Sequence, residues 1–152
     1  MSEDTDVPWH EEIVLPVLLQ LGRRTYGSAI RTALAEAGFD DMPRSGSRLV
    51  GGIARNGTAM TEFSRVLGTS KQAASQLIDT MVARGYVERV PDEADRRRMI
   101  VTLTDRGRAA AEVSHHAVDT IDAALSAEVG ADAVASMRAT LGALVGIGRP
   151  DD

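Results

Sequence analysis

The chain has no cysteine. That excludes disulfides, thiol redox sensing and cysteine metal sites. Aromatic side chains make up only 3% of it, so a core must be assembled from Ala, Val, Leu, Ile and Met. Long apolar runs are missing too. The most apolar stretch, Ile13 to Leu21, contains Pro16 and Gln20 and is too short to span ~30 Å of hydrocarbon. The opening MSEDTDVPW is acidic and carries no signal-peptide pattern. A soluble, cytoplasmic protein with no membrane partner is expected. No Gly-rich phosphate loop, HExxH or GxSxG occurs, and the Ser, His and Asp residues have no triad spacing. An enzyme is therefore not expected, and neither is a cofactor or metal. Adjacent helical residues point about 100° apart, so His115 and His116 read as exposed or interface side chains.

What is present is enough for folding. Apolar residues make up 43% of 152 positions, which suits one domain with a packed core. The net charge is −5, yet its distribution is uneven. Residues 65–108 hold 9 basic groups (Lys71 and eight Arg) and 6 acidic ones, a net of +3, which leaves −8 for the remainder. Screening weakens distant charges beyond ~8–10 Å at physiological salt, so a basic segment on an acidic body can bind a polyanion locally.

In chain order, Trp9 to Ala37 reads as a long helix. Its apolar residues run almost all round between Ile13 and Leu21, which predicts burial against more than one neighbour. Pro16 marks either a late start or a kink. Gly38 provides the C-cap. Asp41-Met-Pro43 reads as an N-cap and early proline for a helix from 42 to 54. Gly51 and Gly52 inside it cost roughly 1 kcal/mol each relative to Ala, and close helix packing is the expected reason. Arg55-Asn56-Gly57 is a turn. Thr58 is placed as the N-cap of a helix from Ala59 to Leu67. Met42, Met60, Met81, Met99 and Met137 read as core fillers, and Trp9 and Tyr26 as packing for the first helix.

Residues 68–104 carry the most information. Gly68-Thr69 makes a tight turn and Ser70 caps a helix from Lys71 to Arg84. Ala74, Leu77, Ile78, Met81 and Val82 fall at helical spacing and form one buried stripe. Gly85 ends the helix. Tyr86–Val90 and Met99–Leu103 are strands around a charged loop, and Thr104 caps a helix from Asp105 to about Glu128. Gly130 breaks it, and Ala131 to about Val145 is a final helix. The fold class expected is mainly α with a small β-hairpin wing, a winged helix-turn-helix between N- and C-terminal helices.

This shape suits duplex DNA. Lys71, Gln72, Ser75 and Gln76 lie on the face opposite the buried stripe. Gln can bond adenine bidentately, and a small Ala73 permits close approach or contact with a thymine methyl. Ser70 lies at the helix N-terminus, against the DNA backbone. The loop places Arg96, Arg97 and Arg98 in succession. Arginine is favoured in a narrow minor groove, and Asp95 is spaced to brace the Arg97 guanidinium. An alternative is a winged-helix protein–protein adaptor that binds no DNA, although such an adaptor has no need of three wing arginines.

The run LGTSKQAASQLIDTMVARGYVERVPDEADRRRMIVTLTDRG resembles the recognition helix and wing of the MarR family of regulators. The Asp-x-Arg wing feature falls on Asp95 and Arg97, followed by VTLT and a helix-opening Gly107. The resemblance implies a single domain over 1–152, with a DNA-binding lobe at about 42–104 and dimerisation helices at about 9–37 and 105–147. It also implies a homodimeric transcriptional regulator, most often a repressor, in which the first and last two helices intertwine. Many members of the family release DNA on binding small aromatic or phenolic effectors, so such an effector is implied, with no binding residues assigned.

Overall fold

The computed structural model describes residues 8–53, 58–59 and 62–148. The expected turn at Arg55–Gly57, Met60 and both chain ends lie outside the described residues. Among the described residues, six helices and three strands run in the order α1 (Leu15–Glu36), α2 (Gly46–Gly52), β1 (Thr58–Ala59), α3 (Phe63–Leu67), α4 (Lys71–Ala83), β2 (Val87–Pro91), β3 (Met99–Leu103), α5 (Asp105–Val129) and α6 (Ala131–Ile147). Two compact units are present, Met1–Ala117 and Val118–Asp152.

The first unit holds the winged helix. Leu49 and Val50 of α2, Phe63 of α3, and Ile78 and Met81 of α4 pack with Tyr86, Val87, Val101 and Ala110 into one apolar core. Leu77 and Val82 pack partly buried against it, so the stripe expected on α4 faces inward. β3 is the central strand of a three-stranded antiparallel sheet ordered β1-β3-β2. Val87 pairs with Leu103 and Pro91 with Met99. Pro91 sits at the end of an edge strand, where its missing N–H costs no ladder bond. In the second unit Val134 is buried, and Arg138 pairs with Asp122.

Several expectations are corrected. α1 begins at Leu15 with Pro16 in its first turn, so the proline starts the helix and does not kink it. Within the chain α1 is not enclosed: Val14, Leu15, Val17, Leu19 and Leu21 are exposed. Thr58 does not cap a helix but lies in β1, paired with Val101. Its β-branch suits a strand, and a third strand satisfies the open edge of β3. Asp41 is not an N-cap; α2 starts later, after Ser45. A Cβ at Gly51 would meet open space, so close packing does not explain that glycine. Close packing occurs instead at Gly46, where a Cβ would lie 2.8 Å from Met42 and 2.9 Å from Met81. Met99 and Met137 are exposed and do not fill the core, and Trp9 is 63% exposed ahead of α1, with its ring edge-on to His10.

Candidate nucleic-acid interface

The turn between α3 and α4 is fixed by backbone chemistry. Gly68 adopts φ +61°, a left-handed conformation that L side chains rarely take. Thr69 N–H then reaches the Ser64 carbonyl at 3.0 Å. Ser70 closes the start of α4, its Oγ accepting the Ala73 N–H at 3.2 Å. Serine is a favoured N-cap because its oxygen satisfies an otherwise unpaired amide.

The described chain thus presents α4 outward along one face. Lys71, Gln72, Ala73 and Gln76 are exposed and Ser75 is half-buried, while Ala74, Ile78 and Met81 on the other side are buried. Gln72 and Gln76 lie one turn apart, with side chains on the same side. Further along, Asp79 pairs with Arg89 of β2. That pair ties α4 to the wing.

The wing loop is held by four hydrogen bonds from backbone amides, two to carbonyls and two to carboxylates. Asp92 N–H donates to the Arg98 carbonyl at 2.9 Å and Arg98 N–H to the Asp95 carbonyl at 2.8 Å. The Asp92 and Asp95 carboxylates accept the amides of Ala94 at 3.0 Å and Arg97 at 3.1 Å. Aspartate forms such local turns readily. The expected brace of the Arg97 guanidinium is corrected: among the described residues Asp95 holds the Arg97 backbone amide instead. Arg96, Arg97 and Arg98 are exposed.

A second constellation was not foreseen from the sequence. Tyr86 is fully buried, and its hydroxyl donates to the Asp41 carboxylate. Arg106 of α5 bonds the same carboxylate at 2.9 Å, stacks 4.3 Å from the Tyr86 ring centre and donates to the Arg84 carbonyl. Arg84 in turn donates to the Asp41 carbonyl. Four segments meet here: the α1–α2 loop, the end of α4, the wing base and the start of α5. Asp41 lies 45 residues from Tyr86 and 65 from Arg106, so no local pattern could reveal the cluster.

The Tyr86 hydroxyl, then the Arg106 and Arg84 cations, hold the Asp41 carboxyl below its ordinary 3.8, against an opposing effect of burial. Burial, then the Asp41 carboxylate, push the Tyr86 hydroxyl up to about 12. Asp41 contributes stability above its unfolded value, which is lost as pH falls through the lowered folded one. Tyr86 contributes below 10.0, and that is lost as pH rises through about 12. The clamp stays closed between those limits, so it is constant across neutral pH. Tyr86→Phe should cost roughly 1–2 kcal/mol, read by urea denaturation at pH 7; unchanged stability would show that the ring alone holds the junction.

These contacts refine the charge count. Of the nine basic groups in 65–108, Arg84, Arg89, Arg106 and Arg108 are engaged internally, Arg108 with Asp105. Arg65, Lys71, Arg96, Arg97 and Arg98 are exposed, and among the described residues no ion pair involves them. Elsewhere, His116 lines an open cleft with Ala33, Glu36, Ala37, Glu112 and Val113. Among the described residues no three His, Asp or Glu side chains gather to hold a metal.

The MarR family pattern matches residues 40–98, the stretch that holds α2, α4 and the wing loop. Over that stretch the chain is similar to the MarR family. The multiple antibiotic resistance protein MarR of Escherichia coli is 34% identical over 77 residues, 50% of this chain and 54% of that protein. The transcriptional activatory protein BadR of Rhodopseudomonas palustris is 43% identical over 58 residues, 38% of this chain and 33% of that protein. This chain thus spans about half or less of the curated relatives it matches. Among solved structures, a variant of E. coli MarR complexed with operator DNA has a TM-score of 0.68 at 25% identity, covering 90% of this chain and 96% of the other. A MarR family regulator from Silicibacter pomeroyi has a TM-score of 0.76 at 20% identity, covering 95% of both chains, and supports the fold. Among the described residues, no helix is long and apolar enough to cross a membrane.

Proposed function

We propose that this chain is a sequence-specific, DNA-binding transcriptional regulator that acts as a homodimer. One observation carries the reading: a capped helix with an exposed polar face stands beside a hairpin whose three exposed arginines have no carboxylate partner among the described residues. Lys71, Gln72, Ser75 and Gln76 read the major groove, Ala73 allows close approach, and Ser70 lies against the backbone. Arg97 enters the minor groove from a turn set by Asp95, and Arg96 and Arg98 meet phosphates. The complex of E. coli MarR with operator DNA supports the assignment, because the same fold there carries the same partner.

Exposed apolar side chains on α1 (Leu15, Val17, Leu19) and α6 (Leu144, Val145, Ile147) suit burial against a second copy. Two reading helices then lie about 34 Å apart, and the operator is a pseudo-palindrome with half-sites ~10 bp apart. The proposed mode is repression by occupancy, relieved by a small aromatic or phenolic effector. A reporter carrying the flanking DNA of the gene, with and without candidate aromatics, tests that part. Increased expression on binding would replace repression with activation, the sign that BadR carries in its name.

The DNA-binding reading itself has an inexpensive test. The five cations of residues 65–108 without an ion pair among the described residues, each releasing about 0.9 counterion per phosphate met, predict a slope of log K against log salt as steep as about −4.5 for each lobe. Fluorescence anisotropy on a 30-bp duplex at several salt concentrations measures it. A slope near zero would favour the adaptor.

A further inference from the structure

We propose that Arg48, on α2, is a phosphate-contacting residue of the DNA interface, held in place by Ser45 and the end of α3. The proposal rests on the DNA-binding reading and adds an element to it that lies outside the reading helix and the wing.

Arg48 Nη2 donates to Ser45 Oγ at 3.2 Å, and Nη1 approaches the Leu67 carbonyl at 3.5 Å, a weak contact. Leu67 is the last residue of α3, next to the turn at Gly68. Ser45, Arg48, Leu67, Thr69, Ala73 and Leu77 line one cleft, so the guanidinium stands beside the helix-turn-helix turn and the first turn of α4. Both of its acceptors are neutral. Of the other arginines fixed in this lobe, Arg89, Arg106 and Arg108 each hold a carboxylate, and Arg84 donates to the Asp41 backbone carbonyl with the Asp41 carboxylate close enough to feel its charge. Among the described residues no carboxylate pairs with Arg48, and the residue is exposed.

A guanidinium has five N–H donors in a planar fork. Two contacts leave donors to spare and keep the full positive charge. Pinning restricts the side chain before any partner arrives, so less entropy is lost when it binds. The first helix of a helix-turn-helix crosses the DNA backbone when the second lies in the groove, and this turn then passes close to phosphates. A fixed, uncompensated guanidinium there matches a phosphate oxygen pair. Phosphate contacts carry affinity and register but no base preference.

Arg48→Met, Arg48→Lys and wild type are titrated as full-length dimers against a 30-bp duplex of arbitrary sequence, across salt. Arg48→Met should lower the affinity roughly five- to tenfold near 0.1 M salt and reduce the salt slope by about 0.9 for each chain bound. Arg48→Lys should keep the wild-type slope. Circular dichroism melting confirms that each variant folds; Arg48→Gln replaces Arg48→Met if the latter does not. An unchanged slope in the folded neutral variant overturns the proposal even if affinity drops, because packing alone would then be at work. A wild-type slope near zero overturns the DNA-binding reading itself, and it is read before any variant.

Discussion

Gly107→Ala should lower stability by about 3 kcal/mol, at the upper end of what overpacking costs. A Cβ at this position would lie 1.9 Å from the Tyr86 carbonyl oxygen, 3.0 Å from the Tyr86 carbonyl carbon and 3.2 Å from a Leu103 methyl. The methyl can rotate away, but the backbone carbonyl cannot. That carbonyl also accepts the Thr104 N–H at 3.2 Å and the Thr104 hydroxyl at 3.1 Å, and Gly107 N–H donates to the same hydroxyl at 3.0 Å. Relief requires either lifting the start of α5 or displacing β2. Lifting α5 breaks the Thr104 cap and withdraws Arg106 from Asp41 and Tyr86. Displacing β2 carries the wing with it. Thermal or urea unfolding of the variant measures the loss, and duplex binding at a temperature where it remains folded measures the effect on the wing. Gly51→Ala is the matched control. Its Cβ meets open space on a helix, where alanine is favoured by roughly 0.5–1 kcal/mol. Equal stability of the two variants would show that the approach of α5 to the wing base is loose.

Gly107 also shows where sequence reading reaches its limit. The helix opening at Asp105 was legible, because Thr104 before a helical run is a local capping signal. The α4 stripe and the β2–β3 hairpin were legible for the same reason: their periodicity and turn residues lie within a dozen positions. What Gly107 packs against is not local. Neither is Asp41, which looked like a cap by the company of Pro43 but is held by Tyr86 and Arg106 from far along the chain. Thr58 was misplaced because a two-residue strand has no period of its own, and only its partner Val101 defines it. The apolar belt of α1 was read as enclosed, since periodicity reports how much surface wants cover and not whether one chain supplies it. At the candidate interface, the exposed polar face and the wing arginines were legible as residue types in a pattern. Which of nine cations remain unengaged was not, because Arg84, Arg89 and Arg106 look equally available until their partners are placed.

Arg97→Ala should weaken binding to the operator by roughly 1–3 kcal/mol while light scattering shows the assembly unchanged. The loss should be larger on the operator than on arbitrary duplex, because the negative potential of a narrow minor groove depends on sequence. Asp95 separates two ways of preparing this arginine. Its Oδ1 accepts the Arg97 backbone amide at 3.1 Å, while Arg98 N–H bonds the Asp95 carbonyl at 2.8 Å. If the carboxylate serves to shape the turn, Asp95→Asn retains an acceptor oxygen and should keep most of the operator affinity. Asp95→Ala loses the acceptor and should approach the Arg97→Ala value. If the charge instead steered the guanidinium, Asn and Ala would be equally damaging. The backbone bond predicts the first pattern. It also makes sense of an acidic residue at a tip proposed to face DNA: its negative charge would oppose phosphate, but its oxygen fixes the direction in which the next but one residue leaves the hairpin. Equal losses for Asp95→Asn and Asp95→Ala would shift the role of Asp95 from geometry to charge.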